Sequence, residues 1–187
     1  MNAAKQFLSQ AKARSVENSD SFKILHEQKK YAVCIGLLRQ ELDTLIRVSY
    51  LWHEDTTPNR ARKLMELSAN GKEWGEINLK GKFIRITDRK MVDLASHLGG
   101  WEQLIYNYGC KLIHLSNFHL HQAFDPVATL DKAEKDNIIK YLSTYHSYSK
   151  SDLIFSDVTE YLPLVMEKLT NNVDFYIKEL KDRYSCP

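Results

Sequence analysis

Three charged residues in the first half of the chain recur at helical spacing. Arg39, Asp43 and Arg47 stand at positions i, i+4 and i+8, so a helix places them on one face, where opposite charges pair. Guanidinium groups bind phosphate through paired N–H donors, and the row therefore fits a polar strip at an anion-binding cleft. The same spacing also fits an exposed charge ladder, which contributes only about a few tenths of a kcal/mol per pair. The residues alone leave both interpretations open.

A second polar row lies in the middle of the chain, on a helix predicted over 101–121. Its members follow one another at steps of four, three and seven residues, which keeps them on one side of that helix. They are Asn107, Lys111, His114 and His121. Imidazole transfers protons near neutral pH and lysine neutralises an anion, so the row predicts binding or acid–base chemistry. A set of polar side chains on the surface of a bundle is the alternative.

Motifs for metal or cofactor chemistry are weak or missing in the sequence. His114, His119 and His121 form an H-x4-H-x-H cluster, which Asp125 could approach from a loop, but only two of the histidines share a helical face. The chain has no Gly-rich phosphate loop, GxSxG elbow or HExxH pair, and its 3 cysteines include no CxxC pair. We therefore predict neither a metal ion nor a cofactor.

The composition is that of a globular protein. Among 187 residues, 43% are hydrophobic and 27% charged, and the 7 Gly and 4 Pro suit long helices better than a many-turned β protein. The net charge of +2 is too small to indicate nucleic-acid binding by itself. The longest apolar stretch, about 31–38, is far below the ~20 residues of a membrane span, and residues 1–14 contain no apolar signal segment. We expect a soluble, cytoplasmic protein of one domain, 1–187, with 1–20 as a candidate extension.

Helical periodicity predicts the elements that position the two rows. A broad apolar stripe predicts a long helix over 22–52, which follows a short helix over 2–14 and a polar break over 15–21. The stripe consists of Tyr31, Ile35, Leu38, Leu42, Leu45, Ile46 and Ser49. Helix start and stop signals predict four further helices. They begin at Pro58 after the N-cap Thr57, at Thr87 or Asp88 (and run through His97), at Trp101 and at Asp131. Five or six main helices joined by short polar loops predict an all-α helical bundle.

Two segments carry other patterns. Residues 76–86 hold two short apolar runs around Lys80-Gly81-Lys82, which fit a small β-hairpin or an ordered loop. The last helix, about 159–181, spaces its apolar residues almost as heptads, and this seam packs inside the bundle or, as the less favoured alternative, pairs in a homodimer. Proline belongs only in the first turn of a helix, so Pro163 predicts a helix start close to it.

Two of the predicted helices carry a resemblance to a known family. The segments 37–53, which begins LLRQE and ends YLWH, and 106–116, which ends CKLIHLS, resemble the HEPN-type helical domains of bacterial toxin–antitoxin and phage-defence systems. The similarity spans roughly residues 31–145. It implies a compact helical bundle, frequently dimeric, of a kind that often cuts RNA without metal.

The resemblance also implies site residues and partners. The family's signature is an arginine and a histidine separated by four to six residues, and Arg47 and His53, with five residues between them, match its spacing. In such a site arginine stabilises charge on the phosphate and histidine moves the proton. His114 of the second polar row is a further catalytic candidate, although its helix has no arginine at the family's spacing. The two polar rows, and not the resemblance, supply the expected binding residues, which are Arg39, Asp43, Asn107, Lys111 and His121. The expected partners are RNA, a protein from the same operon and a second copy of the chain.

Two other functions fit the same residues. One is a non-catalytic interaction or regulatory module, because an aromatic content of 11% supplies tyrosines suited to interfaces. The other is a nucleotide-binding bundle in which Arg39, Lys111 and His114 form an anion pocket.

Overall fold

The computed structural model describes residues 2–95 and 98–184, and these form seven α-helices and one β-hairpin. The fold class is therefore confirmed as all-α with a short hairpin. The helices are α1 (Ala3–Glu27), α2 (Tyr31–Trp52), α3 (Pro58–Ala69), α4 (Asp88–Leu94), α5 (Trp101–Ile113), α6 (Lys132–His146) and α7 (Phe155–Arg183), and the strands are β1 (Gly75–Ile77) and β2 (Phe83–Arg85). The predicted continuation of α4 through His97 lies outside the described residues.

Helix α2 is the centre of the bundle, because α1, α5 and α7 all pack against it. The apolar stripe predicted along it is buried from Ile35 to Ser49, with Leu42, Leu45 and Ile46 fully enclosed, and Tyr31 at its start is partly buried. Burial of these side chains is the main favourable contribution to folding, at roughly 1.5–3 kcal/mol for each fully buried aliphatic residue. A helix surrounded on three sides also brings its few polar side chains close to several other elements.

The predicted polar break at 15–21 is wrong, because α1 continues through it and the chain turns only near Lys29 (φ 57°). Ser15 and Asn18 are buried and donate hydrogen bonds to the two carboxylate oxygens of Glu41, at 2.5 and 2.8 Å. These polar residues join α1 to α2 instead of ending a helix. The long helix predicted over 22–52 is therefore two helices, α1 and α2, that pack against each other.

Helix α5 ends at Ile113, eight residues earlier than the predicted end at His121. The backbone of His114 is extended (φ −89°, ψ 147°), and Ser116 then bonds the carbonyl of Lys111 and caps a short 3-10 turn by accepting from the amide of Phe118. The serine hydroxyl thus takes part in local backbone hydrogen bonds that replace those of a continued helix. The prediction that the second polar row shares one helical face is therefore wrong.

Helix α7 runs through Pro163, contrary to the prediction that it begins near this residue. Proline has no N–H, so the carbonyl of Thr159, four residues earlier, loses its helical donor. His26 of α1 supplies a replacement, because its Nε2 lies 3.0 Å from that carbonyl oxygen. A carbonyl only accepts, so this nitrogen carries the proton.

Two further predictions, for the β-hairpin and for the apolar seam of α7, agree with the structure. The hairpin is antiparallel, with Gly75 opposite Arg85 and Ile77 opposite Phe83. The heptad-like seam of α7 is buried inside the chain, which confirms the favoured interpretation of internal packing. Its residues are Leu162, Val165, Leu169, Val173, Tyr176 and Leu180.

Candidate functional site

An open groove of about 740 Å³ runs along α2 and faces α5. We call it the α2–α5 groove. Gly36 and Leu37 contribute apolar surface from α2, and Ile113 does so from the end of α5. Its charged and polar lining residues are Arg14, Arg39, Gln40, Asp43, Arg47, Asp88, Tyr106, Cys110, His114 and His119.

Five charged residues from three helices form one cluster in this groove. Asp43 accepts hydrogen bonds from Arg14 of α1 at 2.7 Å and from Arg47 at 3.0 Å, and Arg47 also donates to Asp88 of α4 at 2.9 Å. The Arg39 guanidinium lies 3.6 Å from Asp88. We call Arg14, Arg39, Asp43, Arg47 and Asp88 the charge cluster. The row on α2 is therefore part of a tertiary network rather than an exposed ladder.

Arg39 is the member of the charge cluster with unused hydrogen-bonding capacity. The residue is only 7% exposed, and its guanidinium stacks over the ring of Tyr106 at 4.1 Å. Its Nε is buried and has no hydrogen-bond partner among the described residues, and its Nη2 is beyond ordinary hydrogen-bond distance from Asp88. Buried polar groups are normally hydrogen-bonded, so the fold itself does not explain this donor.

A glycine allows Arg39 to take this position. The aliphatic part of Arg39 lies directly against Gly109 of α5, where an added Cβ would stand 2.9 Å from the Cβ of Arg39. Glycine here therefore lets α5 approach α2 closely. The close approach places the Tyr106 ring under the Arg39 guanidinium.

The two aspartates of the charge cluster have opposite pKa shifts. Burial alone raises the pKa of Asp43, but the charges and hydrogen bonds of Arg47 and Arg14 outweigh it and hold this pKa below its ordinary value. The pKa of Asp88 is raised, because burial and the neighbouring Asp43 charge outweigh the two arginines beside it. Asp43 therefore stays ionised and orients its arginines, whereas Asp88 is neutralised more easily.

The charge cluster also borders a second groove, of about 370 Å³, on the side of the hairpin. Arg14, Asp43, Arg47 and Asp88 line both grooves. Lys72 and Arg85 add cationic groups to the second one, together with Glu73, which pairs with Arg85 at 3.2 Å. Two of the three cluster arginines, Arg14 and Arg47, therefore lie where the two grooves meet, whereas Arg39 lines only the α2–α5 groove.

Four of the predicted site residues line the α2–α5 groove. These are Arg39, Asp43, Arg47 and His114. The His114 side chain is exposed at the end of α5, and His119 lies next to it, with its Nε2 3.2 Å from the His114 carbonyl oxygen. The structure therefore places two imidazoles and three guanidinium groups along one groove.

The other predicted site residues lie elsewhere. His53 follows the end of α2, where its Nδ1 is 3.4 Å from a carboxylate oxygen of Asp55, and it lines neither groove beside Arg47. Asn107 bonds Gln103 on α5 itself. Lys111 pairs with Glu134 of α6 at 2.8 Å. His121 stacks on Phe155 at 5.0 Å, and burial lowers its pKa.

Arg14 and Asp88 are the cluster members that the sequence did not indicate. They lie on α1 and α4, far along the chain from α2, and neither has a motif or spacing that links it to the row of Arg39, Asp43 and Arg47. The one available signal is that Asp88 follows a helix-capping threonine, which indicates a helix start and no site.

Comparison with known protein families, curated proteins and solved structures finds no match for this chain. In the parts of the chain that the structure describes, no group of three or more His, Cys, Asp or Glu side chains is placed to hold a metal ion. The helices of residues 2–95 and 98–184 include none that is both long and apolar enough to cross a lipid bilayer. The fold and the groove define the protein as an all-α bundle with an arginine-lined surface cleft.

Proposed function

We propose that the α2–α5 groove binds single-stranded RNA and cleaves it without a metal ion, in the manner of the HEPN-type ribonucleases that the sequence resembles. The observation that carries the proposal is Arg39, a buried arginine with an unused donor beside two further arginines and an exposed histidine. A phosphate group is the anion best matched to several guanidinium donors at one place.

Each part of the reaction has a candidate group in the groove. Arg39 and Arg47 bind the phosphate and stabilise the charge that develops on it. His114 takes the proton of the 2′-hydroxyl, whose oxygen attacks phosphorus, and His119 protonates the 5′-oxygen that leaves. The products are a 2′,3′-cyclic phosphate and a free 5′-hydroxyl. This assignment uses His114 in place of His53, because His114 shares a groove with the arginines and His53 does not.

The test is cleavage of labelled single-stranded RNA by the purified chain in excess EDTA. We expect the wild type to cut, and His114→Ala to lose about 100-fold or more in rate, since general acid–base catalysis contributes roughly that factor. Arg39→Ala should lose both binding and cleavage. His53→Ala is the matched control and should keep its activity. Equal cleavage by the wild type and His114→Ala contradicts the proposal. A loss of cleavage in His53→Ala alone would instead identify Arg47 and His53 as the catalytic pair.

A second candidate, a non-catalytic interaction module, is favoured by the hairpin. Ile77 and Leu79 are 68% and 109% exposed, and such apolar side chains at a hairpin tip suit contact with another protein. Stoichiometric co-purification of a partner that Leu79→Ser abolishes, without any nuclease activity, would favour this function. A homodimer, an operon partner, a cytoplasmic location and a role in phage defence or a toxin–antitoxin pair stay predictions.

A further inference from the structure

Asp88 lies between two arginines of the charge cluster and forms a complete hydrogen bond with only one of them. Its Oδ1 accepts from the Nη2 of Arg47 at 2.9 Å, whereas its Oδ2 is 3.6 Å from the Nη2 of Arg39. The second distance is that of an ion pair and is too long for a hydrogen bond. One carboxylate thus faces two guanidinium groups and leaves Arg39 without a bonded acceptor.

The backbone limits how far the Asp88 carboxylate reaches. Asp88 is the first residue of α4, and the preceding Thr87 caps this helix by accepting a hydrogen bond from the Lys90 amide at 3.2 Å. An aspartate side chain has a single methylene group, so its carboxylate stays close to this helix end. Burial and the neighbouring negative charge of Asp43 also raise the pKa of Asp88, so its ionised form is disfavoured at this position. Asp88 is therefore an imperfect partner for Arg39.

A phosphodiester group suits the two arginines better than Asp88 does. It carries one negative charge, as a carboxylate does, but it is not attached to α4, and its oxygens can accept from both guanidinium groups at once. Exchanging Asp88 for a phosphate keeps an acceptor for Arg47 and adds one for Arg39, the buried arginine whose Nε has no partner in residues 2–95 and 98–184. The Asp88 side chain is 39% exposed and lines both grooves, so it can turn towards water when it is displaced.

We propose that Asp88 is the resident anion of the α2–α5 groove, which occupies Arg39 and Arg47 in the free protein until a phosphate of the RNA displaces it. This inference rests on the proposed function, in which the same two arginines bind a phosphate. The charge cluster has three arginines for two aspartates, so loss of the Asp88 charge leaves more positive charge for a ligand. The ionised Asp88 thus weakens RNA binding, and its removal strengthens it.

The test is fluorescence anisotropy of the full chain with a labelled 2′-O-methyl oligouridine, which lacks the attacking hydroxyl and is therefore not cut. We expect Asp88→Asn to bind this strand about five- to tenfold more tightly than the wild type at pH 7, because a negative charge beside an anion site opposes binding. Asp93→Asn is the matched control. Asp93 is an exposed aspartate on the same helix, paired with Arg89 at 3.0 Å, and its replacement should leave the affinity unchanged.

A second substitution shows whether the gain depends on Arg39. If Asp88 competes with RNA for this arginine, Asp88→Asn should strengthen binding less in an Arg39→Ala background than in the wild type. A merely structural effect of Asp88→Asn on α4 would be the same in both backgrounds. Circular dichroism of each variant verifies that it is folded.

The pH dependence gives an independent measurement. The pKa of Asp88 is raised, so the wild type loses this charge as the pH falls, and the affinity ratio of Asp88→Asn to the wild type should shrink from about pH 7 to about pH 4. The other charged or titratable groups at the two grooves are the same in both proteins, so their titration cancels in the ratio. They are Arg14, Arg39, Asp43, Arg47, Lys72, Glu73, Arg85, Tyr106, Cys110, His114 and His119, with Arg89 next to Asp88 on α4.

The outcomes separate this inference from the proposed function. Folded Asp88→Asn that binds no more tightly than the wild type overturns the inference, as does an equal gain with and without Arg39 or an affinity ratio that is constant with pH. Tighter binding by Asp88→Asn together with uncut RNA in the cleavage assay supports the resident anion and contradicts only the catalytic role of the groove. A lack of binding by all the variants overturns both.

Discussion

The close contact between α2 and α5 at Gly109 can be tested by a single substitution. A Cβ added at Gly109 would lie 2.9, 3.2 and 3.3 Å from the Cβ, Cδ and Cγ of Arg39. The Cβ of Arg39 is attached directly to the α2 backbone, so rotation of the side chain does not move it away. Gly109→Ala therefore forces α5 away from α2, or forces Arg39 off the ring of Tyr106.

The size of the effect follows from two opposing contributions. Alanine in place of glycine inside a helix stabilises by about 1 kcal/mol, whereas overpacking a close contact costs about 1–3 kcal/mol. The free energy of unfolding of Gly109→Ala should thus lie between that of the wild type and a value about 2 kcal/mol lower. Gly36 of α2 has no atom within 4 Å of its added Cβ, so Gly36→Ala should keep the full gain of about 1 kcal/mol. The two variants should differ by about 1–3 kcal/mol, or roughly 2–12 °C in Tm for a chain of this size.

Urea unfolding followed by circular dichroism measures the difference, and fluorescence anisotropy with labelled single-stranded RNA measures its effect on the groove. We expect Gly109→Ala to be the less stable variant and to bind RNA more weakly than the wild type, because Arg39 is displaced. Equal stabilisation by both substitutions would refute the reasoning, since it would show that the α2–α5 contact accommodates a methyl group without strain.

Three further predictions concern buried polar groups. His26→Ala should lower the free energy of unfolding by about 1–3 kcal/mol, because the Thr159 carbonyl loses its donor. In a Pro163→Ala background the same substitution should cost about 1 kcal/mol less, since residue 163 regains its N–H. Equal costs in the two backgrounds of this double-mutant cycle would contradict the prediction. The pKa of Asp43 is depressed, so the stabilisation that its charge provides is present above the unfolded-state pKa of about 3.9 and is lost progressively as the pH falls through the folded-state pKa. Asp43→Asn should therefore lower the free energy of unfolding by about 1–3 kcal/mol at pH 7 and by a smaller amount at pH 3, measured by thermal unfolding. Burial raises the pKa of Glu102, so its ionisation destabilises the fold as the pH rises above about 4. Glu102→Gln should therefore raise the Tm at pH 7 relative to the wild type. This gain should disappear near pH 3, where the glutamic acid is neutral in both the folded and the unfolded state.

Much of the fold could be predicted from apolar periodicity. The stripe through Ile35, Leu38 and Leu42 is buried as expected, and the seam of α7 packs inside the bundle. These predictions succeed because a helix has a fixed period, so residues three and four apart must share a face wherever the helix lies. The capping threonine Thr57 also marks the start of α3 for a local reason, the hydrogen bond from the Arg60 amide to its side chain.

The wrong predictions share a different cause. The polar residues of 15–21 and Pro163 are ordinary signals for the end or start of a helix, and in this fold both lie inside helices. Glu41 accepts the hydrogen bonds of Ser15 and Asn18, and His26 donates to the carbonyl that Pro163 leaves without a donor. Each partner comes from another helix, so the local pattern contained no sign of it.

The spacing of residues on neighbouring turns was enough to predict most of the helices and the common face of Arg39, Asp43 and Arg47 on α2. The packing of separate helices brings Arg14 and Asp88 into the charge cluster, and it places His114 but not His53 at the same groove. Residues from separate helices meet according to how those helices cross and how closely they approach. That geometry depends on side-chain packing across the whole bundle, including a single glycine at 109, and no local spacing encodes it.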